Sequence, residues 1–326
     1  MKKVPISLLI DDPAPVLSVY HEHAKTPTTK DGRDIIAHFP NSLLFAFCDV
    51  VEEFGIKGKF SVVPMPGNKG DIVDGIEGVA REDMQEWLDT VKQRLLPAFT
   101  IGPEMLTHNK AVNLATKEAL PMKEDAWASK QDRTTLTPYI SLALSLLQKA
   151  GFSPIGVTSP WAFGIEVENE YTYAISRAVW ETTGSREAWF FLRGLRDTSN
   201  AKPWVEREDE DRILVAIPPT VRDIIWQTID TTQCDAAYVS QVADTWITAD
   251  GKEGDILRVL NSGGYPILIT HWQSLMSNGL GTGIRVLRTV AQRIREHLSD
   301  RVEWVCAEDL MRMVIADKTA YPKPVF

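Results

Sequence analysis

Short β-rich apolar runs alternate with longer amphipathic helical patterns along nearly the whole chain, and few folds accept that order. The run "VPISLLI" (4–10) reads as a strand, and "NSLLFAFCDVVEEFG" (41–55) as a helix with Asn41 as N-cap and Gly55 as stop. "GKFSVVPM" (58–65) is strand-like, and in "REDMQEWLDTVKQRLLP" Met84, Trp87, Leu88, Val91 and Leu95 share one helical face. The alternation continues through "AFTIGPEMLTH", the helix "TLTPYISLALSLLQKAGF", "PIGVTSP" and the helix "EYTYAISRAVWETTG". After the strands "EAWFFLRG" and "RILVAIP" come two helical segments, then "YPILITHW", the helix "GTGIRVLRTVAQRIREHLS", "RVEWVCA" and "AEDLMRMVIAD". Such alternation implies a parallel sheet covered by helices, and the apolar continuity of the strands implies burial on both faces. No Pro/Gly/Ser-rich linker divides the 326 residues. The expected fold is therefore α/β, a single domain over 1–326 built as a distorted (β/α)7-8 barrel, with a doubly wound open sheet as the alternative.

Charge and motif content narrow the function. A formal net charge of −9 sets the chain against phosphate backbones on average, so no nucleic-acid partner is expected. There is no GxGxxG after the first strand and no P-loop pattern, and "GLGTG" (279–283) reads as a turn before a helix. Cys48, Cys234 and Cys306 lie far apart without CxxC spacing, as free thiols in a reducing compartment would. The opening "MKKVPISLLI" imitates a signal peptide, but it contains Pro5 and meets Asp11 and Asp12 where a small-residue cleavage site belongs. With no run near the roughly 18 apolar residues of a membrane span, the expected setting is cytoplasmic, with no membrane partner.

Parallel barrels carry their chemistry at the C-terminal ends of their strands. Here those ends are Asp11-Asp12, His108 in "PEMLTH", Trp161 in "TSPW", Arg193 in "WFFLRG" and His271 in "LITHW". An acidic pair after a strand is often a helix cap or turn, but Pro13 and Pro15 forbid an immediate helix. Each histidine taken alone reads as structural as easily as functional; together they form a set at one edge of one sheet. His21 and His23 follow within a few residues of the acids and either reach over the strand ends or lie on the loop surface. His38 and His297 carry less information.

The order of these motifs resembles the polysaccharide deacetylase (NodB-homology) family, a group of distorted (β/α)-barrel hydrolases. The acidic pair is matched by "LLIDD", the following strand by "FGIKGKFSVVP", the metal-histidine strand by "PEMLTH", a later turn by "KAGFSP" and the last motif by "LITH". The resemblance implies Asp11 as general base, Asp12 and His108 as ligands of a divalent metal ion, zinc first, and His271 as general acid. It implies a glycan or small sugar-like substrate from which an acyl group is removed, with Trp161, Arg193 and Trp272 as candidates to contact it. Two features depart from the family. Its second histidine, four residues after the first, is Val112, which leaves His23 or His21 to complete the ligand set. The arginine of its fourth motif is missing. Two other functions stay open: a barrel that binds glycan without turnover, and a glycosidase pairing Asp11 or Asp12 with Glu104 or Glu166.

Overall fold

The computed structural model describes residues 3–96, 98–195, 198–209 and 211–324. Nine strands carry the architecture: β1 (Val4–Asp11), β2 (Gly58–Val62), β3 (Phe99–Pro103), β4 (Gly156–Thr158), β5 (Glu187–Phe191), β6 (Trp204–Asp209), β7 (Arg212–Ala216), β8 (Ile267–His271) and β9 (Val302–Trp304). One sheet runs β8-β1-β2-β3, all parallel, with β9 paired to the start of β1. A second runs β6-β7-β5-β4, parallel except for the antiparallel β6–β7 pair. Single parallel bridges join the two, Glu104 to Thr158 on one flank and Val221 to Leu268 on the other.

The α/β character and the parallel sheet are as the alternation predicts. Of the distorted barrel, the described residues show two arcs of strands meeting at two seams of one bridge each, without a continuous closed ladder. Just past one seam the chain is irregular, with Met105 in left-handed backbone at φ 33. A ladder of hydrogen bonds needs extended residues on both sides, so pairing stops there.

Alternation along the strands separates two cores. Ile6, Leu8 and Ile10 of β1 with Phe60 and Val62 of β2 pack outward against the helices Asn41–Phe54 and Thr282–Leu298. Leu9, Trp189, Val215 and Ile267 pack together on the opposite face, against the helix Ala307–Ala316. Close approach is bought by glycine at Gly58, where a Cβ would lie 1.7 Å from the Leu8 carbonyl oxygen. The same inward register that holds Leu9 also holds Asp11 of β1 and, on β2, Lys59 and Ser61, all buried.

Helix Asn41–Phe54 ends at Gly55 with φ 61, as expected, but its N-cap is Pro40; the Asn41 amide donates instead to the Asp83 carbonyl at 2.9 Å. "GLGTG" is a turn, with Gly281 capping the helix Thr282–Leu298. Between β3 and β4 the chain inserts a hairpin, Lys110–Val112 against Ala119–Lys123, and a short helix, Glu124–Ala128. Among the described residues no helix is long and apolar enough to cross a membrane.

Candidate active site

A pocket of about 730 Å³ opens where β1, β5 and β8 end, with Asp11, Asp12, Glu104, His108, Trp161 and His271 among its walls. On a regular strand Asp11 and Asp12 would point to opposite sides. The strand ends at Asp11 instead, and Asp12 takes a left-handed conformation at φ 69 that turns both carboxylates into the same pocket. They then find different partners.

Asp11 pairs with Lys59, whose Nζ lies 2.6 Å from Asp11 Oδ1 and 2.5 Å from the Thr158 hydroxyl, with both charged groups buried. The cation on this acid therefore comes from β2. Asp12 belongs to another cluster. One of its carboxylate oxygens accepts from the Gln273 amide. The other, Oδ1, is buried and lies 2.9 Å from His108 Nε2, with which it forms an ion pair when the imidazole is protonated. Glu104 completes the group: its Oε2 accepts the Asp12 backbone N–H at 2.5 Å, and its Oε1 lies 3.5 Å from His108 Nε2.

Asp12, Glu104 and His108 thus offer three ligand atoms within 4.8 Å of one another. Their electrostatics are those of a crowded anionic site. Burial works to raise the Asp12 carboxyl, but the neighbouring His108 and His271 hold it well below the usual carboxylate range. Burial and the adjacent Asp12 and Asp11 charges push Glu104 well above it. Two carboxylates this close cannot both ionise cheaply without a compensating positive charge. A buried O,O,N donor set whose two carboxylates lack, among the described residues, a compensating fixed cation fits a divalent ion.

Across the pocket, His271 Nδ1 lies 2.8 Å from Asp223 Oδ2. Asp223 is itself fixed by the Ser274 hydroxyl at 2.8 Å and the Ile225 and Trp226 backbone N–H groups at 2.8 and 3.1 Å. Burial would lower the His271 pKa, but the Asp223 hydrogen bond and the Asp12 and Asp11 charges outweigh it and push it up to about 9. An imidazolium with its Nδ1 proton anchored and 29 % of its side chain exposed to the pocket is placed to donate from Nε2. Sequence reading missed Asp223, which lies in "VRDII" between strands with no pattern to mark it.

The remaining candidates divide. His23 lines the pocket with its ring 4.8 Å from that of His108; burial and the His108 charge lower it to about 4, and its Nε2 has no partner. His21 is outside the pocket wall, 41 % exposed and paired with Glu22 at 3.1 Å. Its assignment as a ligand is corrected, because the helical turn Val19–His23 separates residues two apart onto different faces. Trp161 stands 37 % exposed in the wall with its ring 4.4 Å from His108's. Arg193 also lines the pocket while pairing with Glu168.

Trp272 is corrected outright: it is 2 % exposed, packed 5.6 Å from Phe47 and 5.4 Å from Phe60 on the outward face of β1 and β2, where no substrate reaches. Val112 is buried, in the apolar cluster that also holds Met105 and Leu106, so the position four residues after His108 lies in core, and Glu104 is the third member of the acidic cluster. Glu166, the other carboxylate considered for a glycosidase pair, is exposed and outside the pocket wall.

No protein-family model and no curated protein matches the chain. Solved structures do. A Mycobacterium smegmatis protein assigned as a polysaccharide deacetylase aligns at TM-score 0.53 and 13% identity, over 100% of this chain and 95% of that one. A Parabacteroides distasonis protein assigned as a glycoside hydrolase/deacetylase aligns at TM-score 0.52 and 11% identity, over 98% and 73%. The chain therefore has the fold of these deacetylase-like α/β proteins, with a buried Asp–Glu–His cluster of its own at the strand ends. At such identity the shared property is the fold.

Proposed function

We propose that the protein is a metal-dependent hydrolase that removes an acyl group from a sugar-like substrate. The observation that supports it most is convergence: the Asp12–Glu104–His108 cluster, Asp11 with Lys59 buried behind it, and the His271–Asp223 pair meet at one pocket. A divalent ion held by Asp12, Glu104 and His108, zinc being the first candidate, would supply a water of lowered pKa and a Lewis acid for the acyl oxygen. Asp11 takes the proton of the attacking water, its carboxylate oriented by Lys59. His271 protonates the departing amine or hydroxyl, and Asp223 keeps its ring turned for that transfer. Trp161, 37 % exposed in the pocket wall beside His108, offers apolar ring surface to a sugar.

Elemental analysis of protein purified without chelator tests this reading, together with acetate release from N- and O-acetylated oligosaccharides. One metal ion per chain is expected, with loss of both metal and acetate release in Asp12→Ala and His108→Ala. A parent protein without stoichiometric metal, or variants that retain it, would overturn the reading. Metal binding with no release from any acylated glycan would leave a barrel that binds without turnover.

A further inference from the structure

Glu124 is 0 % exposed and lies outside the pocket wall, yet four donors converge on its carboxylate. Oε1 accepts the backbone N–H of Leu106 at 3.0 Å, that of Thr107 at 3.1 Å and the Tyr139 hydroxyl at 2.7 Å. Oε2 accepts the backbone N–H of His108 at 2.9 Å. Three consecutive amides can aim at one carboxylate only if the chain curls, and here Met105 (φ 33) and His108 (φ 51) both adopt left-handed backbone. Side-chain-bearing residues hold that conformation at a cost, so something must hold the curl closed. The Glu124 N–H also donates back to the Asn109 carbonyl at 2.9 Å. The hairpin from Lys110 to Lys123 is thus an excursion that leaves His108 and returns a carboxylate to its turn.

We propose that Glu124 is a positioning residue for the metal centre: it clamps the 106–108 turn so that His108 Nε2 stays on Asp12 and Glu104. The inference rests on the metal reading above and deepens it. With valine at 112, one imidazole serves the cluster where the related pattern has two, and its placement depends on this buried clamp. Buried carboxylates that orient a ligand commonly change metal affinity by about 10–100-fold when altered.

The test uses the full chain stripped of metal by a chelator and titrated with Co²⁺, read by calorimetry and by the visible spectrum of the bound ion. Thermal unfolding of the metal-free protein is followed in parallel. Wild type is expected to bind one Co²⁺. Glu124→Gln is expected to bind it about 10–100-fold more weakly with a shifted spectrum. Tyr139→Phe, which keeps the three amide bonds, is expected to weaken it by only about 2–10-fold. An unchanged affinity and spectrum in Glu124→Gln, even with a lowered melting temperature, overturns the inference and leaves the metal reading standing. Should Glu124→Gln fail to fold, unchanged Co²⁺ affinity in Tyr139→Phe overturns it instead. A wild-type chain that takes up no Co²⁺ removes the metal reading itself.

Discussion

Lys59 and Asp11 face each other on the inward side of β2 and β1 with 1 % and 4 % of their side chains exposed. At that depth the cost of desolvating two charges is met only while both are present. Lys59→Met is therefore expected to destabilise the fold by about 3–5 kcal/mol, and adding Asp11→Leu should recover part of the loss, as denaturant unfolding of the single and double variants would show. His271 permits a pH prediction. Its value of about 9 lies above the ~6.5 of a free imidazole, so the protonated form is complete below ~6.5 and is lost as pH rises through about 9. Stabilisation from the Asp223 pairing follows the same course, and so does catalysis if His271 is the acid. In Asp223→Asn the alkaline limb should move to lower pH, which a histidine Cε1–H titration by NMR can follow without any substrate. An unmoved limb would detach Asp223 from the role given to it.

The hairpin 110–123 explains at the level of elements why the expected second histidine has no counterpart. Its first strand buries Ala111 and Val112 in the same apolar cluster as Met105 and Leu106, so position 112 lies in core. Val112→His is accordingly expected to cost about 2–5 kcal/mol, by overpacking and by burying an imidazole without partners, and to leave Co²⁺ affinity no higher than wild type. A gain in affinity would show that the turn reorganises around the new ligand. The long elements were legible in the sequence because their apolar residues repeat with one period over many positions, as in Met84, Trp87, Leu88 and Val91. The hairpin was not. Its return strand "ALPMK" is largely exposed and only five residues long, too short and too polar to carry a periodic signal. Lys59 was legible in principle: it sits in register with Ser61 between Phe60 and Val62, and a lysine on a strand buried on both faces needs a partner.

For the molecule as a whole, two arcs joined by single bridges predict uneven stability. The β1 strand is paired on both sides, by β8 and β2, whereas the flanks at Glu104–Thr158 and Val221–Leu268 hold by one bridge each. Amide hydrogen exchange should be slowest at Leu8 and Ile10 and faster, through smaller openings, at Met105 and Ile269, whose N–H groups bond across the seams. Uniform protection at all four would mean the two arcs open as one unit. By itself the sequence determined the class of fold, because strand and helix periods are local properties. It also placed acids, imidazoles and a tryptophan at strand ends, because a strand's end is visible where its apolar run stops. Only the tertiary structure decided how those groups divide. Asp11 goes to Lys59, Asp12 to Glu104 and His108, His271 to Asp223, and Trp272 to the core. These pairings join residues from 48 to more than 90 positions apart and turn on single left-handed residues such as Asp12, a geometry that neither period nor spacing encodes.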